Sequence, residues 1–152
     1  MKMKIINLEE LKLKTFTEQD AKDYCQINNI NSNDITVLSL FNNYLTDISG
    51  IKLFKNIERL NLYNNELKDI SVIKNLNNIK VLNIAYNSKL TDISVIQYLN
   101  SLEYLDIEDL RLESDQIEYI KLLKNLEILY SPRGFKDMSV LNQLKNVKIH
   151  KI

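Results

Sequence analysis

Residues 35–56 read ITVLSLFNNYLTDISGIKLFKN, and residues 57–78, IERLNLYNNELKDISVIKNLNN, repeat the same pattern at the same length. A third copy, IKVLNIAYNSKLTDISVIQYLNS, fills residues 79–101 with one extra residue. Two looser copies fill residues 102–125 and 126–146, and the last residues, VKIHKI, begin another. The shared pattern is L-x-x-L-x-L-x-x-N-x-L-x-D-I-S-x-I-x-x-L. Self-similarity at a fixed period of this length indicates a solenoid of stacked units.

Each copy contains two apolar residues separated by one position, as in Leu38 and Leu40 or Leu60 and Leu62. A period of two predicts a short strand with one buried face. One copy cannot bury its apolar stripe alone, so neighbouring copies must stack to close a core. The sequence therefore predicts a stack of repeats, each containing a strand, around one continuous core.

This pattern resembles the leucine-rich-repeat family, and its D-I-S-x-I half is similar to the internalin branch of that family. The resemblance is close over residues 35–101 and looser over residues 102–152. It implies an α/β fold, a right-handed leucine-rich-repeat solenoid with a parallel sheet on the concave face and short helices and turns on the convex face. It also implies that Asn43, Asn65 and Asn87 stack as a ladder whose amides bond neighbouring backbones.

An aspartate recurs in the repeat and is followed two residues later by Ser, at Asp47, Asp69, Asp92 and Asp137. Recurring carboxylates suggest a metal site. An Asp or Ser just before a short helical turn is more simply an N-cap, because its oxygen accepts a bond from a free backbone N–H group. We favour capping and expect no metal.

The two ends of a solenoid need capping segments that cover the apolar core of the terminal repeats. Residues 1–34 are predicted to form a helical N-terminal cap, and LEELKLKTF at 8–16 carries a degenerate copy of the strand pattern. Thr17, with an acidic residue at Asp20, is the signature of a helix start. The helix is expected to run to about Asn29 and to turn Ala21, Tyr24 and Cys25 to one face, with Cys25 as a small core residue.

The chain is predicted to form one domain over residues 1–152, with five repeats at 35–146 and a terminal strand at 147–152. In the fourth repeat Leu110 stands where Asn is expected, and Ser114 is predicted to cap an α-helix. Its inward residues would be Ile117, Ile120 and Leu123. The fifth repeat replaces the Asn turn with SPRG at 131–134, which predicts a different loop. Charges on the last strand, at Lys148, His150 and Lys151, are typical of an open sheet edge.

Composition excludes several classes of function. Apolar residues make up 45% and charged residues 26% of 152 residues, values typical of a folded soluble protein. The formal net charge of +0 disfavours DNA or RNA as the partner. The N-terminus lacks the apolar run of a secretory signal, and no stretch approaches the roughly 18 apolar residues of a membrane span. We therefore expect a location in the cytoplasm of the producing cell or of a host cell, and no membrane partner.

The sequence also contains few of the residues that form catalytic sites. The two glycines, Gly50 and Gly134, cannot form a Gly-rich phosphate loop, and the single histidine, His150, lies near the C-terminus. One cysteine, Cys25, and one histidine cannot form a Cys/His metal cluster. We predict that the protein is not an enzyme and that it has no cofactor and no metal.

The residues between the buried strand positions must line the concave face, because successive strand side chains point to opposite sides. Aromatic residues recur there, and exposed aromatics beside charges are the composition of binding hot spots. Such residues also suit strands in general, so the pattern alone leaves a structural role open. The acids near 106–109 predict a partner with a basic or mixed surface. The candidate partner-binding residues are Phe41, Arg59, Tyr63, Tyr86, Tyr104, Asp106, Glu108, Asp109 and Tyr130.

These observations favour a module that recognises another protein through its concave sheet. The roles open to it include an inhibitor, an anti-defence or immunity protein, and an effector. The abundance of Lys, Asn and Ile is typical of a low-GC bacterium, its phage or a large virus. The alternatives are an intracellular scaffold and a structural protein that self-associates into a homo-oligomer through its C-terminal strand.

Overall fold

A computed structural model describes residues 4–132 and 141–150. In this part of the chain the strands form a single parallel sheet whose spatial order is the order of the sequence. This arrangement confirms the predicted solenoid, in which each coil lies beside the next. The strands are β1 (Lys4–Asn7), β2 (Ile35–Ser39), β3 (Arg59–Asn61), β4 (Val81–Asn83), β5 (Tyr104–Asp106), β6 (Ile128–Tyr130) and β7 (Lys148–His150).

The return segments between the strands are short and helical. Two are α-helices, α1 (Glu18–Ile27) and α2 (Ile117–Ile120). The others are 3₁₀ helices at Ser32–Asp34, Ser49–Leu53, Ser71–Asn75, Ser94–Tyr98, Ser114–Gln116 and Leu141–Gln143. Each coil therefore joins one strand on the concave side to helical turns on the convex side, and the segments before β2 and β6 each contain an α-helix and a 3₁₀ helix. No helix of the described residues has the length and apolar character that crossing a bilayer requires.

One apolar core runs the length of the solenoid. One leucine of each strand from β2 to β6 points inward and is almost completely buried; these residues are Leu38, Leu60, Leu82, Leu105 and Leu129. The isoleucines of the return segments, such as Ile51, Ile73 and Ile96, pack from the other side. The sheet and the helices thus enclose the apolar stripe that no single repeat could bury.

The predicted asparagine ladder is present at the end of the strands. The Nδ2 group of Asn65 donates to the carbonyl oxygens of Leu62 and Tyr63 in its own coil and of Leu40 in the preceding one. Its Oδ1 atom accepts from the backbone N–H of Leu45 at 3.1 Å. Asn43 and Asn87 repeat this arrangement in their own coils. The ladder satisfies backbone groups that the turn would otherwise leave buried without partners.

A second set of asparagine bonds between coils lies before the strands β3, β4 and β6. The Nδ2 groups of Asn56, Asn78 and Asn125 donate to the carbonyl oxygens of Asn33, Lys55 and Asn100. Each of these asparagines stands three residues before the first residue of its strand, β3, β4 or β6. Sequence analysis missed them because they stand outside the most regular part of the pattern.

The aspartates cap the convex turns, as predicted. An Oδ1 atom of Asp47, Asp69 and Asp92 accepts a 2.7 Å bond from the N–H of the serine two residues later. That serine is the first residue of the 3₁₀ helix, so the carboxylate acts from the position before the N-cap residue. The equivalent Asp137 lies outside the described residues.

The N-terminal coil departs from prediction in one respect. The strand is β1 at Lys4–Asn7 rather than part of residues 8–16, and Ile6 pairs with Leu38. The pattern in 8–16 was misleading because its leucines occupy the turn that follows the strand. The helix start is confirmed, since Thr17 and Asp20 form both bonds of a capping box.

Helix α1 packs closely against the first full repeat. A Cβ atom on Gly50 would lie 2.4 Å from the carbonyl oxygen of Thr17, so only glycine fits there. Ala21 and Cys25 are buried and Tyr24 is half-buried, which confirms the predicted face. Burial also raises the pKa of the Cys25 thiol.

The fourth coil contains the predicted α-helix, but Ser114 does not cap it. Ser114 begins a 3₁₀ helix, the residue before it is Glu113, and neither side chain bonds to the helix start. Ile117, Ile120 and Leu123 are buried as predicted. In the fifth coil Ser131 and Pro132 are buried, whereas Arg133 and Gly134 of the predicted loop, like Lys151 of the terminal strand, lie outside the described residues.

Candidate protein-binding face

Two rows of side chains cross the sheet on the side opposite the core. We call these rows the concave face. The strand register defines both of them, because paired positions of neighbouring strands lie side by side. The first row is Ile5, Val37, Arg59, Val81, Tyr104, Ile128 and Lys148. The second row is Asn7, Ser39, Asn61, Asn83, Asp106, Tyr130 and His150.

The first row is mainly apolar and is interrupted by Arg59. Val37 and Val81 pair with Arg59 on either side and are half-buried, whereas Arg59 itself is exposed. These three residues, with Tyr104 and the exposed Ile5, line an open groove of about 530 Å³. Arg59 forms no ion pair with any residue in the described ranges.

The second row is mainly polar, and several of its side chains accept hydrogen bonds from the backbone. The Oδ1 atoms of Asn61, Asn83 and Asp106 each accept a bond of 3.0–3.1 Å from the N–H two residues later. Asn7 makes the same bond in the first coil, at 3.1 Å. Each side chain therefore fixes the chain as it leaves the strand, and the row presents amide and carboxylate groups beside the apolar row.

The aromatic candidates form two clusters. Tyr63 lies between Phe41 and Tyr86, with ring centroids 6.2 Å and 5.0 Å apart. At the other end Tyr130 lies between Tyr104 and His150, at 5.5 Å and 4.5 Å. These rings are half-buried, so each still offers a face to solvent.

His150 was not among the predicted site residues. Its ring is nearly parallel to that of Tyr130, with an angle of 7° between the planes. Sequence reasoning missed this stacking because the two residues are separated by a whole repeat. Strand pairing brings them together.

The acidic residues from which a partner with a basic or mixed surface was predicted do not form an exposed cluster. Asp106 is only 8% exposed and Glu108 only 9%, so the expectation of a solvent-facing carboxylate patch at these positions is wrong. The Oδ2 atom of Asp106 accepts from Nδ2 of Asn83 at 3.1 Å. Asp109 alone of the three is exposed. The physical reason is that the preceding coil lies against both carboxylates, because Asn83 donates to Asp106 and Tyr86 donates to Glu108.

Burial changes the acid–base properties of this region. Loss of hydration raises the pKa of the Asp106 carboxyl group, and the nearby charge of Glu108 adds to the rise. Loss of hydration, and then the charge of Asp106, raises the pKa of the Tyr104 hydroxyl to about 12. Tyr104 is therefore a neutral hydrogen-bonding group at physiological pH.

A left-handed backbone position follows the concave face in five successive coils. Glu10, Asn42, Asn64, Tyr86 and Asp109 all have φ between 53° and 59°. Asn tolerates this conformation, whereas a bulky residue such as Tyr86 is rare in it. No sequence signal pointed to this position, since its residue type differs from coil to coil.

The described residues contain no group of three or more His, Cys, Asp or Glu side chains that could hold a metal ion. The carboxylates of Asp106 and Glu108 are engaged in hydrogen bonds within and between coils. What the concave face offers chemically is therefore shape, aromatic surface and two exposed cations, Arg59 near one end of the first row and Lys148 at the other end.

Comparisons with known proteins agree with this geometry. A family model described as two copies of leucine-rich repeats matches residues 33–75 and again residues 55–98. An internalin C2 structure from Listeria monocytogenes is similar with a TM-score of 0.74 and 22% identity, over 95% of this chain and 69% of that one. A second internalin of the same species, inlF, gives a TM-score of 0.59 and 20% identity, over 95% and 46%.

A leucine-rich-repeat protein of Leptospira interrogans is similar with a TM-score of 0.58 and 24% identity, over 95% of this chain and 41% of that one. The chain thus spans less than half the length of two of these three proteins. A search of curated proteins found no match. Identities below 25% establish a common fold, and the fold alone does not identify a partner.

Proposed function

From the premise that the chain is a leucine-rich-repeat protein with internalin-like repeats, we propose that it binds another protein through its concave face. Leucine-rich-repeat folds commonly mediate protein–protein interaction, and solenoids provide extended concave binding surfaces. The protein acts by binding and not by catalysis.

The observation that carries this proposal is the pair of aromatic clusters, one on the concave face around Tyr130 and one around Tyr63, just after strand β3. Tyr63 and Tyr104 belong to the two different clusters, and both keep part of their rings accessible. Tyr and Arg are enriched at binding hot spots because they bury a large area and keep a polar end. Arg59 lines the same groove of the concave face as Tyr104.

A binding face without catalytic groups acts by occupying the surface of its partner. We therefore propose the role of an inhibitor, such as an immunity or anti-defence protein, or of an effector. Its place of action is the cytoplasm of the producing cell or of a host cell.

The experiment is affinity capture from a lysate of the organism that encodes the protein, followed by measurement of the affinity for each captured protein. The test variant is Tyr63→Ala with Tyr104→Ala. We expect the dissociation constant to rise by about thirtyfold or more, since hot-spot aromatics contribute about 2 kcal/mol or more.

The matched control is Tyr44→Ala with Tyr98→Ala, which removes two tyrosines that are 52% and 43% exposed and lie outside the concave face. The control variant should bind like the wild type. If the control variant loses affinity and the concave variant does not, the binding site lies on the loops or the convex side and the proposal is wrong.

Self-association is the second candidate function. In the described part of the chain, β7 pairs with β6 on one side only, which leaves a sheet edge for a second copy. Sedimentation at two protein concentrations separates the two candidates. A single monomeric species at both concentrations contradicts self-association and agrees with a different protein as the partner.

A further inference from the structure

We propose that the element bound on the concave face is an amphipathic α-helix of the partner that carries a carboxylate in the middle of its apolar stripe. This inference rests on the proposed function and names the chemistry of the partner. Two features support it: the apolar side chains of the first row of the concave face, and Arg59, which interrupts that row.

The spacing of the row fits a helix that crosses the strands. Neighbouring strands lie about 4.8 Å apart, so Val37, Arg59 and Val81 offer contacts at that interval. Side chains three and four residues apart on a helix are about 5–6 Å apart. In an extended segment, side chains on the same face are about 6.6–6.8 Å apart, and their register with the row is lost within a few strands.

The length of the row also suits a helix. From Ile5 to Tyr104 the first row crosses five neighbouring strands, a distance of about 19 Å. A helix covers this distance with about thirteen residues. This is close to the average length of helices in globular proteins. The second row, with its amides at Asn61 and Asn83, runs along the polar flank of such a helix.

Arg59 determines the charge of the partner. Its guanidinium group is exposed, makes no ion pair with a described residue and stands between the apolar side chains of Val37 and Val81. The acid that lines the same groove, Glu9, already accepts a 2.6 Å bond from the Oγ atom of Ser39. A guanidinium group with five donors and apolar walls selects a carboxylate, which it can bind in a bidentate manner.

The test is selection of binders from a phage-displayed library of random 16-residue peptides. The targets are the wild-type protein, Arg59→Glu and the charge-matched control Lys124→Glu, in which an exposed lysine outside the concave face is reversed. We expect wild-type binders to share an Asp or Glu with apolar residues three or four positions before and after it. The Arg59→Glu target should select Lys or Arg at that position, and the Lys124→Glu target should select the wild-type pattern.

A synthetic peptide with the wild-type pattern should lose affinity about tenfold or more for Arg59→Glu, because like charges are brought together. Exchange of its acid for Lys should restore the affinity. The milder variant Arg59→Gln, which removes the charge without reversing it, should also lose affinity for this peptide. Thermal melting confirms that each variant is folded. Binders without an acid at this position, or equal affinity for wild type and both Arg59 variants, overturn the proposal. Apolar residues at alternate positions overturn the helix in favour of an extended segment.

The same peptides separate this inference from the proposed function. Peptides that bind Tyr63→Ala with Tyr104→Ala as tightly as the wild type do not use the concave face, and they contradict both proposals. Peptides that lose affinity for that variant but not for Arg59→Glu leave the concave face as the binding site and overturn only the chemistry assigned to the partner.

Discussion

The phenolic hydroxyl of Tyr86 donates a 2.7 Å hydrogen bond to Oε1 of Glu108 in the next coil. Tyr86 occupies the left-handed backbone position that recurs in five coils, with φ of 56°. A non-glycine residue in this region costs on the order of 1–3 kcal/mol unless its surroundings compensate. The bond to a buried carboxylate and the packing on Tyr63 supply that compensation.

The first prediction follows from this bond. Tyr86→Phe keeps the ring but removes the hydroxyl, so the buried carboxylate of Glu108 loses a donor. We expect the free energy of unfolding to fall by about 1–3 kcal/mol, as measured by urea denaturation. The matched control is Tyr44→Phe, at a tyrosine that is 52% exposed, which should change stability by less than about 0.5 kcal/mol. Equal stability of the two variants would contradict the role of the bond.

The second prediction concerns pH. The pKa of Asp106 is raised in the folded state above its ordinary value of 3.8. The folded state therefore binds its proton more tightly, and the contribution of Asp106 to stability falls as pH rises from below 3.8 through the folded pKa. Asp106→Asn removes this titration and can keep the backbone bond that Asn61 and Asn83 make. The unfolding free energy of the variant minus that of the wild type should thus increase from acid to neutral pH.

The wild type and Asp106→Asn must be compared because Glu18 changes the stability of both proteins with pH in the opposite direction. Hydrogen bonds from Lys22 and Lys52 lower the pKa of Glu18 to about 2. The stability that Glu18 contributes is present above its unfolded pKa, near 4.5, and is lost as pH falls towards 2. Both proteins share this effect, so it cancels in the difference. A difference that is constant with pH would show that Asp106 titrates normally.

The third prediction concerns the asparagine ladder. Asn65→Ala removes three donated bonds and the acceptor of the Leu45 N–H group, all in a buried position. We expect a loss of about 2–4 kcal/mol in urea denaturation, since buried backbone groups are left without partners. The matched control is Asn77→Ala, at an exposed asparagine in the turn before β4, and it should have a small effect. Similar losses for the two variants would show that the ladder contributes little.

The fourth prediction tests the strand register. Leu62→Ala deletes a completely buried side chain and should cost roughly 2–5 kcal/mol through lost burial and a residual cavity. Leu122→Ala, at a leucine that is 52% exposed, is the control and should melt close to the wild type. A Leu62→Ala protein that melts within a degree of the wild type would contradict the inward direction of this position.

The sequence by itself determined the features that repeat. A period of two placed Leu38, Leu60 and Leu82 in the core, because strand side chains alternate in direction wherever the chain is extended. The resemblance to leucine-rich repeats implied the asparagine ladder, and Asp before Ser predicted the capped turns. Such features depend on residues that are close together in one repeat, so local spacing carries the information. The first strand was not predicted, because the turn that follows it, at 8–16, matches the strand pattern more closely than Lys4–Asn7 does.

The tertiary structure alone decided what surrounds each side chain on the concave face. Strand parity placed Asp106 on this face correctly, but its burial depends on Asn83 and Glu108, and the first of these belongs to another coil. The stacking of Tyr130 on His150 and the bond between Tyr86 and Glu108 likewise join residues of different coils. Solvent exposure is a property of the stack and not of one repeat, because each coil covers its neighbour to an extent set by both sets of side chains.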